Sequence, residues 1–372
     1  MYVIMKIALV HDDLIQFGGA EKLLMTFHEI WPEAPIYTAV VSKRWKKICK
    51  HKNIKLITSF MQHLPFIEKL NREYSVFLFH ALAFESFDFS EFDIVLSLSS
   101  RYAHSVTTKP ETIHICYMNS PGRMFWEPIT YFMSTNLILR ELVKPILTHL
   151  RIWDYTCAQR VDQFITNSKT PKERVKKYYN RDSEIIYPYV DIKRFNLSAS
   201  DKGYFLIVSR LQSWKRIDIA VKACGNLNLK LKVVGEGPAL IELKKDAGLS
   251  VEFLGFVSDE EKKKLLENCT AFINTQYEDF GISPLEALAC GKPVIAYGKG
   301  GVLETVIPGT TGVFFNKQEV GELEKVLKNF NPKNYNPMIC RSSVEKFDKI
   351  TFVKSIKAFV DKKYTDEKGI GK

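Results

Sequence analysis

The sequence predicts an α/β protein with two doubly wound domains, each built around a parallel sheet. Short apolar runs rich in β-branched residues alternate with stretches of helical periodicity along most of the 372 residues. The alternation stops between residues 187 and 203, where Pro, Asn, Ser and Gly replace periodic apolar residues. We therefore expect a first domain over 1–187, a linker over 188–202 and a second domain over 203–350.

Strands and the last helix can be placed from these patterns. The predicted strands are Lys6–Val10, Asp93–Leu98, Ile113–Tyr117, Phe164–Thr166 and Glu184–Tyr187, then Tyr204–Ser209, Lys230–Val234, Val251–Leu254, Ala271–Asn274, Pro293–Ala296 and Gly312–Phe315. Ligands of such sheets bind beyond the carboxyl ends of the strands, here expected to face a cleft between the domains. A final helix over about 352–364 is expected to cross back to the first domain.

Composition limits the partners and the compartment. The formal net charge of +11 favours phosphorylated ligands, anionic lipid or nucleic acid as partners. A nucleic-acid-binding protein is one alternative, although no zinc finger, RNP-like motif or aromatic-basic repeat is present. Seven scattered cysteines without a CxxC pair predict a reduced, cytoplasmic protein without a structural zinc. No apolar run approaches the roughly 20 residues of a transmembrane helix.

Two glycine-containing turns follow predicted strands. Gly18 and Gly19 precede a helix, so backbone amides could approach a phosphate there, although a plain glycine turn explains them equally well. The turn VGEGPAL over residues 234–240 has Leu240 where a dinucleotide fingerprint needs its third glycine. A nicotinamide-dependent enzyme is therefore disfavoured.

Charged residues follow two strands of the second domain. Arg210 and Lys215 could neutralise a leaving diphosphate or belong to a solvated basic loop. In EDFGISPLE, Ser283 at the cap position predicts a capping box that uses Glu286, whereas Glu278 lies in the preceding loop. The spacing of the two glutamates does not exclude a glycosidase pair about 5.5 Å apart.

These motifs together resemble retaining glycosyltransferase family four. The resemblance covers nearly the whole chain. It rests on Glu278 and Glu286 in the E-x7-E pattern, Arg210 and Lys215 in SRLQSWKRID, the VGEGP turn, the loop at residues 18–21 and YGKGGVLETV at residues 297–306. It implies the GT-B fold, with two Rossmann-like domains facing across a cleft. It also implies hexosyl transfer with retention and without a metal or cofactor.

The resemblance assigns roles to individual residues. Arg210 and Lys215 would bind the nucleotide diphosphate, Glu286 the ribose hydroxyls and Glu278 the donor sugar. Backbone amides of Phe280, Gly281 and Ile282 would reach sugar and phosphate, Gly300, Gly301 and Glu304 would lie close to the nucleotide, and Gly19, beside Gly18, would meet the β-phosphate.

Asn119 is a departure from the family pattern, because relatives commonly carry a His near the donor sugar at this place. Asn119 can hydrogen-bond a hydroxyl but cannot carry a proton at neutral pH, and a turn residue before Ser120-Pro121 is an equal alternative. His11 and His104 are the other first-domain imidazoles near predicted strand ends. The catalytic candidates are Glu278, Asn119, Arg210 and Lys215.

The donor and acceptor are expected from the resemblance alone. The motifs look most like those of enzymes that transfer mannose from GDP-mannose in polysaccharide or lipopolysaccharide assembly, onto a lipid-linked or glycan acceptor. UDP-glucose, UDP-GlcNAc or a rhamnose donor is the alternative, and a sugar-nucleotide epimerase or phosphorylase is the alternative class. The basic segment 44–55 predicts docking on an anionic membrane, at the inner face of the plasma membrane. No nucleic-acid partner is expected.

Overall fold

The computed structural model describes residues 5–76, 79–128 and 137–369. Its contacts divide the chain into two compact units, and each contains one parallel sheet. The first unit comprises residues up to Tyr187 together with the chain from Val353 onward, and the second comprises Pro188–Phe352. Both units are α/β, as the alternating patterns predict.

The first unit has a seven-stranded sheet in the order β3-β2-β1-β4-β5-β6-β7. Its strands are β1 (Ile7–His11), β2 (Ile36–Thr38), β3 (Leu56–Thr58), β4 (Ile94–Ser99), β5 (Ile113–Met118), β6 (Gln163–Thr166) and β7 (Glu184–Ile185). Its helices are α1 (Gly19–Ile30), α2 (Lys43–His51), α3 (Ile67–Val76), α4 (Phe79–Glu85), α5 (Arg123–Trp126), α6 (Leu137–Gln159) and α7 (Lys169–Tyr179).

The second unit has a six-stranded sheet in the order β10-β9-β8-β11-β12-β13. Its strands are β8 (Phe205–Val208), β9 (Leu231–Val234), β10 (Val251–Gly255), β11 (Ala271–Asn274), β12 (Val294–Tyr297) and β13 (Gly312–Phe315). Its helices are α8 (Ile217–Asn226), α9 (Leu240–Lys245), α10 (Asp259–Asn268), α11 (Ile282–Ala289), α12 (Val302–Thr305), α13 (Val320–Asn329) and α14 (Pro337–Ser342).

The last helix, α15 (Lys349–Lys368), begins in the second unit and continues into the first. Its buried side chains include Ile356 and Val360, four residues apart. Near its end Lys368 Nζ donates a hydrogen bond to the carbonyl of Glu111, 3.1 Å away.

Each sheet buries apolar strand residues against its own helices. In the second unit Ile207, Val233, Ile273 and Ile295 lie on four adjacent strands and form one buried cluster. Because all strands in a sheet point the same way, their carboxyl ends share one edge. The loops at that edge carry the predicted site residues of the second unit.

Two strands of the first sheet escaped prediction. β2 and β3 have three residues each, too few for a clear pattern, and pairing with β1 gives β2 its place in the sheet. The eleven predicted strands are present, with ends displaced by a few residues at most. Within the described part of the chain, none of the helices combines the length and apolar content required to cross a bilayer.

Candidate active site

The loop after β8 carries Arg210 and lies against the loop after β9. An added Cβ at Gly235 would come within 1.9 Å of the Ser209 carbonyl oxygen, and one at Gly237 within 2.3 Å of the Leu211 carbonyl oxygen. Both glycines also have positive φ angles, 130° and 158°. The VGEGP turn therefore fixes the backbone on either side of Arg210, whose side chain is exposed.

Lys215 ends a short 3-10 turn after this loop and is only 6% exposed. Its Nζ forms an ion pair with Glu278 Oε1 and lies 4.2 Å from the centroid of the Trp214 ring. Burial lowers the pKa of Lys215, Glu278 acts to raise it, and the positive charge of Arg210 lowers it again. The structure thus pairs Lys215, to which the resemblance assigns the diphosphate, with Glu278, to which it assigns the donor sugar.

The backbone of Glu278 is held by the glycines that follow β12. Gly301 donates its N–H to the Glu278 carbonyl at 2.9 Å, and Gly300 forms a β-bridge with Glu278. An added Cβ at Gly300 would lie 2.3 Å from the Glu278 carbonyl oxygen, and one at Gly301 would lie 2.3 Å from Phe280 Cα. These glycines are therefore required for backbone packing beneath the Glu278 loop.

The predicted capping box at the start of α11 is wrong. The helix begins at Ile282, and its cap residue is Gly281, with φ of 91° and no side-chain capping bond. Ser283 is therefore inside the first turn. Glu286 becomes the fifth helical residue, which lies beyond the free N–H groups of the first turn that a cap satisfies. Its side chain extends sideways, toward a neighbouring helix.

Glu286 instead pairs with Lys262 of α10. Lys262 Nζ lies 2.7 Å from Oε1 and 2.8 Å from Oε2, so it bridges both carboxylate oxygens. Glu286 is 8% exposed, and Lys262 is half-buried. The sequence analysis missed Lys262. The sequence pattern could have indicated it. Lys262 lies one helical turn before the apolar Leu266, so the two residues share the buried side of a helix whose other charged residues are mostly exposed.

The other predicted residues of the second unit lie in the same loops. Phe280 is buried, with its ring centroid 5.6 Å from that of Phe347. Ile282 and Glu304 are half-buried, at the first turns of α11 and α12. The loops after β8, β11 and β12 therefore bring a cationic pair, two glutamates and a glycine-capped helix start to one edge of the sheet.

The glycine turn of the first unit contains a carboxylate as well. Gly18 caps α1, and Gly19 is its first residue. Glu21 is buried, its Oε2 would lie 3.0 Å from a Cβ added at Gly18, and its Oε1 has no hydrogen-bond partner among the described residues. The carboxyl group of Glu21 therefore lies beside Gly18, at the helix start where the resemblance implies a β-phosphate contact.

Asn119 follows β5 and donates its backbone N–H to the Ser99 carbonyl at 2.9 Å. Its Nδ2 atom is buried and, within the described ranges, has no hydrogen-bond partner, as is also true of both ring nitrogens of His11. His104 differs, since its Nδ1 is hydrogen-bonded to Ser99 Oγ at 3.1 Å, and its Nε2 also lies 3.1 Å from Asp154 Oδ1 inside the core. Among these three side chains, His104 has the clearest structural role.

A comparison with protein families identifies the second unit. Residues 190–334 match the model described as glycosyl transferases group 1. The second unit is therefore similar to a group 1 glycosyl transferase domain. This domain contains Arg210, Lys215, Glu278, Glu286 and the glycines at 300 and 301. The match confirms, for this part of the chain, the family resemblance drawn from its motifs.

Curated relatives extend the similarity at low identity. Alpha-1,3/1,6-mannosyltransferase ALG2 of Dictyostelium discoideum is 28% identical over 245 residues, which cover 51% of this chain and 58% of the relative. An uncharacterized glycosyltransferase of Methanocaldococcus jannaschii is 26% identical over 234 residues, covering 61% and 65%. The chain spans about half to two thirds of the length of the curated relatives that it matches.

A solved structure shares the fold over almost the full chain. The crystal structure of Anabaena HepE in complex with UDP has a TM-score of 0.72 at 19% identity, covering 96% of this chain and all of that one. Such a likeness at low identity shows the fold. Together with the two observed parallel-sheet units, it confirms the GT-B fold class.

Proposed function

We propose that this protein is a retaining hexosyltransferase that moves a sugar from a nucleotide donor to a glycan or lipid-linked acceptor. The observation that supports this most strongly is the Lys215–Glu278 ion pair, held on glycine-fixed loops of a group 1 glycosyl transferase domain. A buried cation and a carboxylate at the carboxyl edge of a parallel sheet suit a ligand that carries both phosphate and hydroxyl groups.

The chemistry follows from the charges. Breaking the bond between sugar and diphosphate leaves negative charge on the diphosphate, and Lys215 and Arg210 can stabilise that charge without a metal. Glu278 accepts hydrogen bonds from sugar hydroxyls. Retention then follows from attack on the same face that the diphosphate leaves, with a departing phosphate oxygen accepting the proton of the acceptor hydroxyl. Asn119, Gly18 and Gly19 are proposed contacts from the first unit.

GDP-mannose is the donor that we propose. Support comes from the mannosyltransferase relatives, which include ALG2 of Dictyostelium discoideum and of human. The alternative is a uridine donor, since the structural neighbour HepE has been solved with UDP-glucose. The phosphate contacts proposed for Arg210 and Lys215 are common to both donors, so the donor is decided by the base and sugar pockets.

Donor turnover followed by proton NMR tests this function. The protein is incubated with GDP-mannose or UDP-glucose, with and without glycan and polyprenyl-phosphate-linked acceptors. We expect an α-linked product from an α-linked donor, and slow donor hydrolysis that first releases the α-anomer. A change of donor stereochemistry without transfer would indicate an epimerase. Glycan cleavage that requires inorganic phosphate would indicate a phosphorylase, and either result would contradict the proposal.

We also propose that the first unit docks on an anionic bilayer through α2 and the segment after it. Residues 34–67 contain seven lysines and arginines and no acidic residue, and every one of these cations is exposed. Phe66, at the end of this stretch, is 75% exposed with a positive φ of 51°. Clustered cations beside an exposed aromatic ring suit a lipid surface, which is where a lipid-linked acceptor would be found.

A further inference from the structure

Lys262 is a charged residue in a position that usually belongs to an apolar one. It lies on α10 one turn before the buried Leu266, so it faces the body of the unit, toward α11. A half-buried ammonium is stable only when its charge is compensated. Among the described residues, Glu286 has the carboxylate closest to Lys262 Nζ, at 2.7 Å, whereas Asp259 Oδ1 is 4.0 Å away.

The geometry of the pair fixes the carboxylate. Nζ lies 2.7 Å and 2.8 Å from the two oxygens of Glu286, so the ammonium group bridges both carboxylate oxygens. An ionised carboxylate has about four lone-pair positions, and one ammonium uses two of them here. Each oxygen of Glu286 thus keeps an acceptor position, in an orientation that Lys262 determines. The position left on each oxygen can accept from a hydroxyl group, so this one carboxylate can bind two neighbouring hydroxyl groups.

We propose that Lys262 is the positioning residue for ribose recognition. It holds the Glu286 side chain oriented so that the carboxylate accepts hydrogen bonds from the 2′- and 3′-hydroxyls of the donor nucleotide. This inference rests on the proposed function, in which Glu286 binds the ribose. Lys262 itself does not contact the nucleotide, so its effect depends on both Glu286 and the ribose hydroxyls.

Titration calorimetry with paired nucleotides tests this role. The probes are GDP and UDP and their 2′,3′-dideoxy analogues, and the variants are Lys262→Met, which removes the charge, and Lys262→Arg, which retains it. For the ribonucleotide that the wild type binds, we expect Lys262→Met to raise Kd about 10-fold or more, as for the loss of a hydrogen bond to a charged group. The dideoxy analogue should bind the wild type and Lys262→Met with Kd values within about 3-fold of each other. Lys262→Arg should bind the ribonucleotide with most of the wild-type affinity.

Lys263→Met is the matched control. Lys263 is the next residue of α10, and its Nζ lies 4.0 Å from Glu267 Oε1 rather than near Glu286. This variant should leave both affinities unchanged. The double variant Lys262→Met/Glu286→Gln should lose no more ribonucleotide affinity than Glu286→Gln alone, because Lys262 acts through Glu286. It also replaces the ion pair by neutral side chains, so it tests the coupling even if Lys262→Met alone does not fold.

The outcomes separate this inference from the proposed function. Equal losses for ribonucleotide and dideoxynucleotide in Lys262→Met would show a structural role and overturn the inference, as would additive losses in the double variant. In both cases wild-type nucleotide binding, and with it the proposed function, would stand. A wild type that binds neither GDP nor UDP would overturn both.

Discussion

Lys215 Nζ is paired with Glu278 Oε1, and almost all of the Lys215 side chain is buried. The pKa of Lys215 therefore depends on Glu278. Burial acts to neutralise the ammonium, whereas the carboxylate keeps it charged. A diphosphate that approaches Lys215 would replace Glu278 as its counter-charge and leave the carboxylate available for sugar hydroxyls.

Glu278→Ala should make nucleotide binding sensitive to pH. Without Glu278, burial and Arg210 both lower the pKa of Lys215 and the carboxylate no longer opposes them. The ammonium, which binds the diphosphate, is lost as pH rises through its pKa, so affinity should fall at lower pH in the variant than in wild type. Calorimetric Kd values between pH 6 and pH 10 measure this.

Glu278→Ala/Lys215→Arg is the control for that shift. Because a guanidinium stays protonated throughout this range, the double variant should bind the nucleotide with little dependence on pH. Transfer should be lost in both variants, since both lack the proposed sugar contact. Superimposable pH profiles for Glu278→Ala and wild type would show that the ion pair does not control the charge of Lys215.

Gly301→Ala should disturb the site through the backbone. Its new methyl group would lie 2.3 Å from Phe280 Cα, so the Glu278 loop must move. We expect a stability loss of about 1–3 kcal/mol, typical of overpacking, with a large loss of transfer. The control is Gly321→Ala on α13, where nothing lies within 4 Å of the added Cβ. It should stabilise the protein by about 0.5–1 kcal/mol. Small and equal changes in stability and transfer for Gly301→Ala and Gly321→Ala would contradict the inference that Gly301 is required for backbone packing at the Glu278 loop.

The buried His114 should make the protein less stable in acid. Burial lowers the pKa of His114 from 6.5 to about 3, and its Nε2 lies 2.8 Å from Ser97 Oγ. Between these values the unfolded chain binds a proton that the folded protein does not, so stability falls as pH falls below 6.5. His114→Gln should reduce the stability difference between pH 7 and pH 5 by roughly 2 kcal/mol in chemical denaturation. His51→Gln, at an exposed position, serves as control, and an unchanged pH dependence in His114→Gln would refute the prediction.

Removing charge from α2 should weaken membrane binding. Substituting Lys46, Lys47 and Lys50 by Ser removes three exposed cations, each worth about 1 kcal/mol near an anionic bilayer, so vesicle affinity should fall about 100-fold. Cosedimentation with phosphatidylglycerol vesicles measures this affinity. The matched variant substitutes Lys172, Lys176 and Lys177 on α7, also exposed, and should bind as wild type does. Equal losses in both triple variants would show unspecific attraction by net charge.

The sequence predicts the fold more fully than the site. Strands such as Ala271–Asn274 are long enough to be recognised, and loops rich in Gly mark their ends. Pairs of side chains that are far apart along the chain could not be predicted in this way. Nothing in the spacing links Lys262 to Glu286 or Lys215 to Glu278. The first pair forms only when two helices pack side by side, and the second only when loops from separate strands meet. The capping-box prediction failed for a related reason: Gly281, free to adopt a positive φ, starts α11 before Ser283.

Binding of nucleotide sugars to Lys215→Met is the most direct measurement of the proposed donor site. Titration calorimetry compares GDP-mannose and UDP-glucose on wild type, Lys215→Met and Lys222→Met, a cation of α8 that pairs with Asp246 at 3.1 Å. We predict that wild type and Lys222→Met bind one donor with similar Kd, and that Lys215→Met binds it about 10-fold to 100-fold more weakly. Undiminished binding by Lys215→Met, or no binding by wild type, would contradict a donor site at Lys215 and Glu278.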